Sequence, residues 1–539
     1  VSRTFLFLEA RHENPEHHRG MEYYPFLLSL LRNLGVDARW WVVAVPKRLV
    51  RQGETYRLEL APAMTRLLAE QLAAWRPDRL ATNDILSDEV LAAVRAASPA
   101  TKVVYVAESL HYAVTTAQAL TLLLGDDAPD PGDLRERLFV QAAPPVFDRR
   151  FLGDDKPGAA ASLSASGRPA VASRSDSDRR GGRTDFHRLA VPVDCPYRRA
   201  AAANPYYAHL NTDVVRSFRG CTFCYVPVHA AKTRGAALSV REAVATTVQQ
   251  IQAHQAAADP DVARFQYLVE QSIVGENVDL LLEQVVRLDL RPLVIVTMLR
   301  LDTLVARKGR FEALLPELQR RGHHLRLVSL GAENLSDVEN ERMNKGLTRA
   351  QILASHAVIQ SLARDYAAAF SADELSGILF TPWTRPADLR ENIQAARELG
   401  FSWLLKNLGT VLQLWEATPI TELARHDGLV ADTFGSIGQL SLSCSPTTAL
   451  HEIPWRFQDP RVETLHALLI RLDPSPSQAM LPQDDLRRTE IRREVATLAP
   501  ALAADPIGLR LALVDAVEAL GADASVRELF AHVRAQPVA

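Results

Sequence analysis

The stretch Ser217-Phe-Arg-Gly-Cys-Thr-Phe-Cys-Tyr225 decides how this chain is read. The chain carries only 4 cysteines in 539 residues, and Cys221 and Cys224 stand in a C-x-x-C directly after Gly220. Cysteines this sparse make no disulfide framework; such a pair in a reducing compartment is a metal, cluster or redox site. Thiolates three positions apart on a tight loop suit two irons of one cubane, and the aromatic neighbours would keep water away. By itself the pair leaves zinc, dithiol redox chemistry and an iron–sulfur cluster open.

A chain of this length needs two or three cores. Its 47% hydrophobic and 23% charged residues are those of a globular protein, and a formal net charge of −3 advertises no nucleic-acid partner. No apolar run approaches the roughly 20 residues of a membrane helix. The opening Val1–Glu9 turns charged at once and reads as a first strand rather than a leader. With so few cysteines, a cytoplasmic location is expected.

Residues 4–150 alternate apolar runs with helical spacing. Phe5–Leu8, Trp40–Val45, Leu80–Thr82 and Lys102–Ala107 read as strands. Tyr24–Arg32, Met64–Trp75 and Asp88–Ala97 read as helices. This rhythm predicts an α/β fold that opens with a doubly wound, Rossmann-like parallel sheet over residues 1–150. Such sheets bind ligands at the carboxyl ends of their strands, where Glu9, Asn83, Asp84, Glu108 and Ser109 lie; the same residues also suit helix caps. A Ser-, Gly-, Ala- and Arg-rich stretch then marks residues 151–190 as a linker.

Alternation resumes across 191–430. Ser239-Val-Arg-Glu242 is a capping box opening a helix to about Ala256. Strands near 214, 265–269, 293–297, 324–330, 376–380 and 412 give six β/α units. Residues 431–539 read as a helical tail with no chemistry of its own, a packing or substrate-covering domain.

Several motifs occur in order along this half. Arg300-Leu-Asp302 follows Leu293–Thr297, and Ser329-Leu-Gly-Ala-Glu-Asn334 follows His324–Val328. Then come Met343-Asn-Lys-Gly-Leu-Thr348, Gly377-Ile-Leu-Phe-Thr-Pro-Trp-Thr384, Leu414–Pro419 and Asp427-Gly-Leu429. In this order and spacing, residues 205–430 resemble the radical S-adenosylmethionine (SAM) superfamily, particularly members with an N-terminal cobalamin-binding domain. The resemblance implies a partial six-stranded (β/α)6 barrel with a 4Fe–4S cluster in the loop after its first strand.

The superfamily pattern C-x-x-x-C-x-x-C would place its first thiolate at Ser217, whose hydroxyl is a poor cluster ligand. Cys195, in Asp194-Cys-Pro-Tyr-Arg-Arg199, lies 26 residues before Cys221, and the turn-like Asn204-Pro-Tyr-Tyr207 allows the chain to fold back between them. The expected ligands are therefore Cys195, Cys221 and Cys224, with Ser217 or a non-protein ligand as alternatives. Cys444 reads as a buried thiol.

By resemblance, Gly220 turns the ligand loop. Glu270 meets the SAM amine or approaches an iron, unless it is simply a carboxylate beside a helix. Arg300, with Asp302, forks onto the SAM carboxylate or makes a plain ion pair. Glu333 contacts the ribose or amine of SAM. Lys345 and Gly346 are expected to serve the start of the following helix. His17, in Pro15-Glu-His-His-Arg-Gly20, only partly matches a cobalt-ligating motif, and cobalamin is implied by the architecture instead.

The resemblance implies reductive cleavage of SAM to a 5′-deoxyadenosyl radical, fed by an external flavodoxin- or ferredoxin-type donor. Its commonest outcome is cobalamin-dependent methyl transfer to an unactivated carbon of a small-molecule or peptide substrate. The alternatives are a cobalamin-independent radical reaction, such as a rearrangement, and a non-catalytic binding protein. No nucleic acid or membrane is expected as partner.

Overall fold

The computed structural model describes residues 4–11, 37–44, 48–52, 55–82, 86–105, 183–189, 195–224, 226–227, 239–258, 260, 262–269, 272–415, 417–430, 455–472 and 486–536. Glu270, His17, Cys444, Asn83, Asp84, Glu108 and Ser109 lie outside them. Two compact units emerge. One comprises Val1–Asp194, His229–Thr297 and Leu314–Arg326; the other comprises Cys195–Val228, Met298–Ala313 and Leu327–Ala539.

The first unit opens with strands β1 (Thr4–Arg11), β2 (Asp37–Ala44), β3 (Arg48–Gln52), β4 (Thr55–Glu59), β5 (Arg79–Thr82) and β6 (Lys102–Tyr105). β2, β1, β5 and β6 lie side by side in that order, all parallel. β1 therefore has its successor on one side and a later strand on the other, which makes the gap between β1 and β5 a topological switch point. Helix α1 (Pro62–Trp75) starts on a proline, whose missing N–H costs nothing there, and buries Met64, Leu68 and Leu72 at four-residue spacing. It stops where Arg76 turns left-handed and donates its N–H to the Leu72 carbonyl. Helix α2 (Asp88–Ala97) is capped by the Ser87 hydroxyl and opens on Asp88 and Glu89, which favour the positive helix end. These elements close over Leu6, Leu8, Leu58, Leu80, Leu86, Val90 and Val94. The short antiparallel ribbon β3–β4 has no counterpart in the expected alternation.

A second sheet sets β10 (His324–Leu327), β9 (Leu293–Thr297), β8 (Val262–Val269) and β7 (Arg183–Arg188) side by side, with β7, β8 and β9 parallel. All five β9 residues are buried, as a central parallel strand requires. The helix Val240–Ala257 (α4, the label α3 being kept for Asp213–Ser217) begins with the expected capping box of Ser239 and Glu242. Its His254 Nδ1 lies 3.0 Å from the Tyr267 hydroxyl of β8.

Two strand assignments change. The segment near 214 is the helix α3, not a strand, because Thr212 caps it and the Ser217 hydroxyl bonds back to the Asp213 carbonyl at 2.7 Å. The first strand beside β8 is instead β7, inside the stretch read as linker; its register runs from Thr184↔Arg264 to Arg188↔Leu268.

In the second unit β11 (Gly331–Glu333) pairs in parallel with Ser376–Gly377, and Phe380 bridges Val411. Among the described residues the strands do not close into one barrel as expected. Helix Pro386–Leu399 packs against Pro506–Leu520 of the tail, where Arg390 ion-pairs with Asp515 and Glu518. The tail is also tied at Trp455, whose indole donates to the Leu412 carbonyl at 2.8 Å, and at Gln458, whose N–H donates to the Pro382 carbonyl at 2.8 Å.

Candidate functional site

The Cys195 and Cys221 loops meet in the second unit. Ala200 forms an antiparallel bridge with Arg219; the Ala201 N–H donates to the Phe218 carbonyl at 3.1 Å and the Gly220 N–H to the Arg199 carbonyl at 2.9 Å. The fold-back comes from the Asn204 turn, in which the Tyr207 and Ala208 N–H groups bond the Asn204 carbonyl. Tyr207 is fully buried and donates its hydroxyl to the Arg342 carbonyl at 2.6 Å, with Thr222 Oγ1 2.8 Å away.

Gly220 has φ +132, a conformation L side chains rarely adopt, and a Cβ there would stand 2.8 Å from Pro227 Cγ. The following Cys221–Cys224 turn is closed by the Cys224 N–H on the Cys221 carbonyl at 2.9 Å.

The Met343-Asn-Lys-Gly motif clamps both loops. The Thr222 N–H donates to the Met343 carbonyl. The Asn344 amide donates to the Gly220 carbonyl at 2.7 Å and to the Arg199 carbonyl at 3.2 Å. Asn344 sits at φ +53, which Asn tolerates better than most residues. The Asn204 amide adds a bond to the Glu341 carbonyl at 2.6 Å, and the Arg199 guanidinium pairs with the Glu341 carboxylate.

Cys195 and Cys221 are buried, Cys224 is half-buried, and none of the three is in a disulfide. Burial pushes the Cys221 thiol up, opposed by Lys345 and Arg300. Burial, then Cys221 and more weakly Cys195, push up Cys224. Ser217 is exposed on its helix and bonds its own backbone.

Two buried cations stand beside Cys221. Arg300 donates through Nε and Nη2 to Asp302 at 3.0 and 2.9 Å, through Nη2 to the Lys345 carbonyl at 3.1 Å, and through Nη1 toward Cys221 Sγ at 3.7 Å. The Lys345 ammonium donates to Glu333 Oε1 at 2.7 Å. Burial opposes the Lys345 charge, yet Glu333 and Cys221 hold its pKa above the ordinary range. Glu333 itself is held at φ +62 in β11.

Cys221, Arg300, Asp302 and Glu333 are thus linked through Lys345, with Gly220 turning the Cys221 loop and the Cys195 loop lying against it. Lys345, read from the sequence as serving only a helix start, is part of the same charge cluster. The sequence marked Asn204 as opening the turn, whereas no role at the site was expected of Asn344 or Tyr197. Their signal was faint: an Asn before Lys-Gly and a Tyr two residues after a cysteine.

Cys195, Cys221 and Cys224 would be the residues to hold a metal centre. Among the described residues no three His, Cys, Asp or Glu side chains converge as ligands of one ion do. A tetrahedral zinc site needs such convergence. Thiolates of a cubane bind separate irons and need only surround a volume. Three thiols on two clamped loops, with two buried cations to offset negative charge, fit the latter.

No family model and no curated protein sequence matches the chain. Two solved structures of the cobalamin-dependent S-adenosylmethionine radical enzyme OxsB are similar in fold. The apo form is 11% identical with a TM-score of 0.45, and the aqua-cobalamin-bound form is 12% identical with a TM-score of 0.46. Each likeness covers 98% of this chain and 74% of the other.

Proposed function

We propose that this chain is a radical SAM enzyme that uses cobalamin to transfer a methyl group to an unactivated carbon of a small-molecule or peptide substrate. The observation that carries the reading is the antiparallel return of the Cys195 loop onto the Cys221 loop under the Asn344 clamp. It brings the loop that carries Cys195 against the loop that carries Cys221 and Cys224, which supports Cys195 as the third ligand although Ser217 occupies the position where the superfamily places its first thiolate.

Cys195, Cys221 and Cys224 would hold a 4Fe–4S cluster, which when bound supplies the electron for reductive cleavage of SAM. Gly220 brings the backbone round so that Cys221 and Cys224 present their sulfurs together. Arg300, Asp302 and Glu333 stand near Cys221 and would orient the polar end of SAM. Burial of Cys195, Cys221, Tyr207 and Phe218 excludes water from the reacting volume. In the first unit the switch point between β1 and β5 is where a doubly wound sheet takes a ligand, and there we place cobalamin.

The partners we propose are a flavodoxin- or ferredoxin-type donor and an organic substrate, in a reducing cytoplasm. No helix among the described residues is long and apolar enough to cross a membrane.

The test is anaerobic reconstitution of the whole chain with iron, sulfide and a corrinoid. About four irons and four sulfides per chain are expected, lost in Cys195→Ala and Cys221→Ala and retained in Ser217→Ala. SAM with dithionite then releases 5′-deoxyadenosine. Iron binding unaffected by Cys195→Ala would overturn the ligand set, and a chain that retains no corrinoid would overturn the methyl-transfer reading.

A further inference from the structure

Among the described residues, Arg300 directs a guanidinium N–H at the Cys221 sulfur, and its position is fixed from several sides. Its fork faces Asp302, and one Nη2–H reaches the Lys345 carbonyl. The Tyr197 ring lies under it, with the guanidinium carbon 4.0 Å from the ring centroid. Tyr197 is held in turn by close packing: its hydroxyl abuts Gly346, where a Cβ would stand 2.3 Å away. With these contacts made, an Nη1–H is directed at Cys221 Sγ, 3.7 Å away.

We propose that Arg300, seated on the Tyr197 ring, is a positioning residue whose hydrogen bond to the Cys221 sulfur sets the reduction potential of the proposed cluster. The inference rests on the function proposed above. Reduction adds negative charge to a cluster, and part of that charge resides on its thiolate sulfurs. A donor and a positive charge fixed at one sulfur therefore stabilise the reduced form more than the oxidised form, which raises the potential. Burial makes the contact stronger than it would be in water. The Tyr197 face adds a cation–π contact and denies the guanidinium alternative positions.

The experiment compares reconstituted wild type, Arg300→Gln, Tyr197→Leu and Tyr197→Phe. Iron and sulfide are counted in each, and the cluster is titrated redox-wise with electron paramagnetic resonance as the readout. Arg300→Gln is expected to make reduction roughly tenfold less favourable at fixed poise, about 59 mV to the negative side for one electron. Tyr197→Leu shifts in the same direction by less, and Tyr197→Phe, which keeps the ring, leaves the potential where it was. An unchanged potential in Arg300→Gln at full iron content overturns the proposal. Should Arg300→Gln hold no cluster, Tyr197→Leu decides, since it retains all three thiols and the charge; an unmoved potential there overturns the proposal too. A wild type that assembles no cluster instead removes the function on which the inference rests.

Discussion

Gly220 and Asn344 act on the cysteine loops through backbone geometry rather than chemistry. At Gly220 both the positive φ and the close approach of Pro227 resist a side chain, whereas at Gly428 (φ +68) an added Cβ meets nothing within 4 Å. Gly428→Ala should therefore cost only left-handed strain, about 1–2 kcal/mol, and leave iron content unchanged. Gly220→Ala should cost more and reduce iron retention, because the backbone or Pro227 must move and Cys221 moves with it. Denaturant midpoints and iron counts on both variants check this contrast. Asn344→Ala strips hydrogen bonds from the Gly220 and Arg199 carbonyls. A loss of about 2–3 kcal/mol is expected, together with weakened iron binding. Neither residue's role was legible as a spacing rule: a Gly before C-x-x-C was noticeable, but the clamp joins positions more than a hundred residues apart.

At the scale of elements, apolar packing outweighs charge pairing where the tail meets helix Pro386–Leu399. Arg390 reaches Asp515 and Glu518, but these side chains are about a third exposed, and solvent screens such pairs. Arg390→Ala should therefore cost at most about 1 kcal/mol. Leu513 on the same tail helix is fully buried, and Leu513→Ala should cost about 2–5 kcal/mol. Thermal unfolding of the two variants would order them, and an equal shift in midpoint would contradict the ranking. The helices of this region were readable from their periodicity and caps; Ser525 and Glu528 form a capping box at the last helix as their spacing suggests. Strand β7 was not readable. Arg183-Thr-Asp-Phe-His-Arg188 has no apolar run, and it is a strand because β8 offers it a parallel partner in register. The stretch at 213–217 misled in the opposite direction, since Val214 and Val215 suggest a strand while Thr212 and Asp213 begin a helix.

For the whole molecule, two buried histidines set a dependence on acid. His466 lies against the rings of Phe380 and Phe457, which also contact each other, and burial lowers its pKa from 6.5 to about 4. His323 accepts the Leu293 N–H at Nδ1 and is likewise lowered to about 4, by burial and then by Arg321. Unfolded, each titrates near the ordinary value. Between pH 6.5 and 4 the unfolded chain therefore binds more protons than the folded one, and stability declines as pH falls through that window. Above it neither histidine adds a slope. The loss by pH 4 is on the order of 3 kcal/mol for each. Denaturation at pH 7 and pH 5 would show it, and His466→Leu should flatten the profile. By itself the sequence determined the alternation of strands and helices, the parallel opening sheet, the capped helices and the C-x-x-C loop, because these follow from local periodicity, propensity and turn chemistry. Tertiary structure alone decided that the Cys195 loop returns onto the Cys221 loop while Ser217 stays on a helix surface, and that Lys345 and Arg300 stand beside Cys221. Those facts depend on which distant backbone carbonyls find their donors, and no local pattern along the chain encodes that pairing.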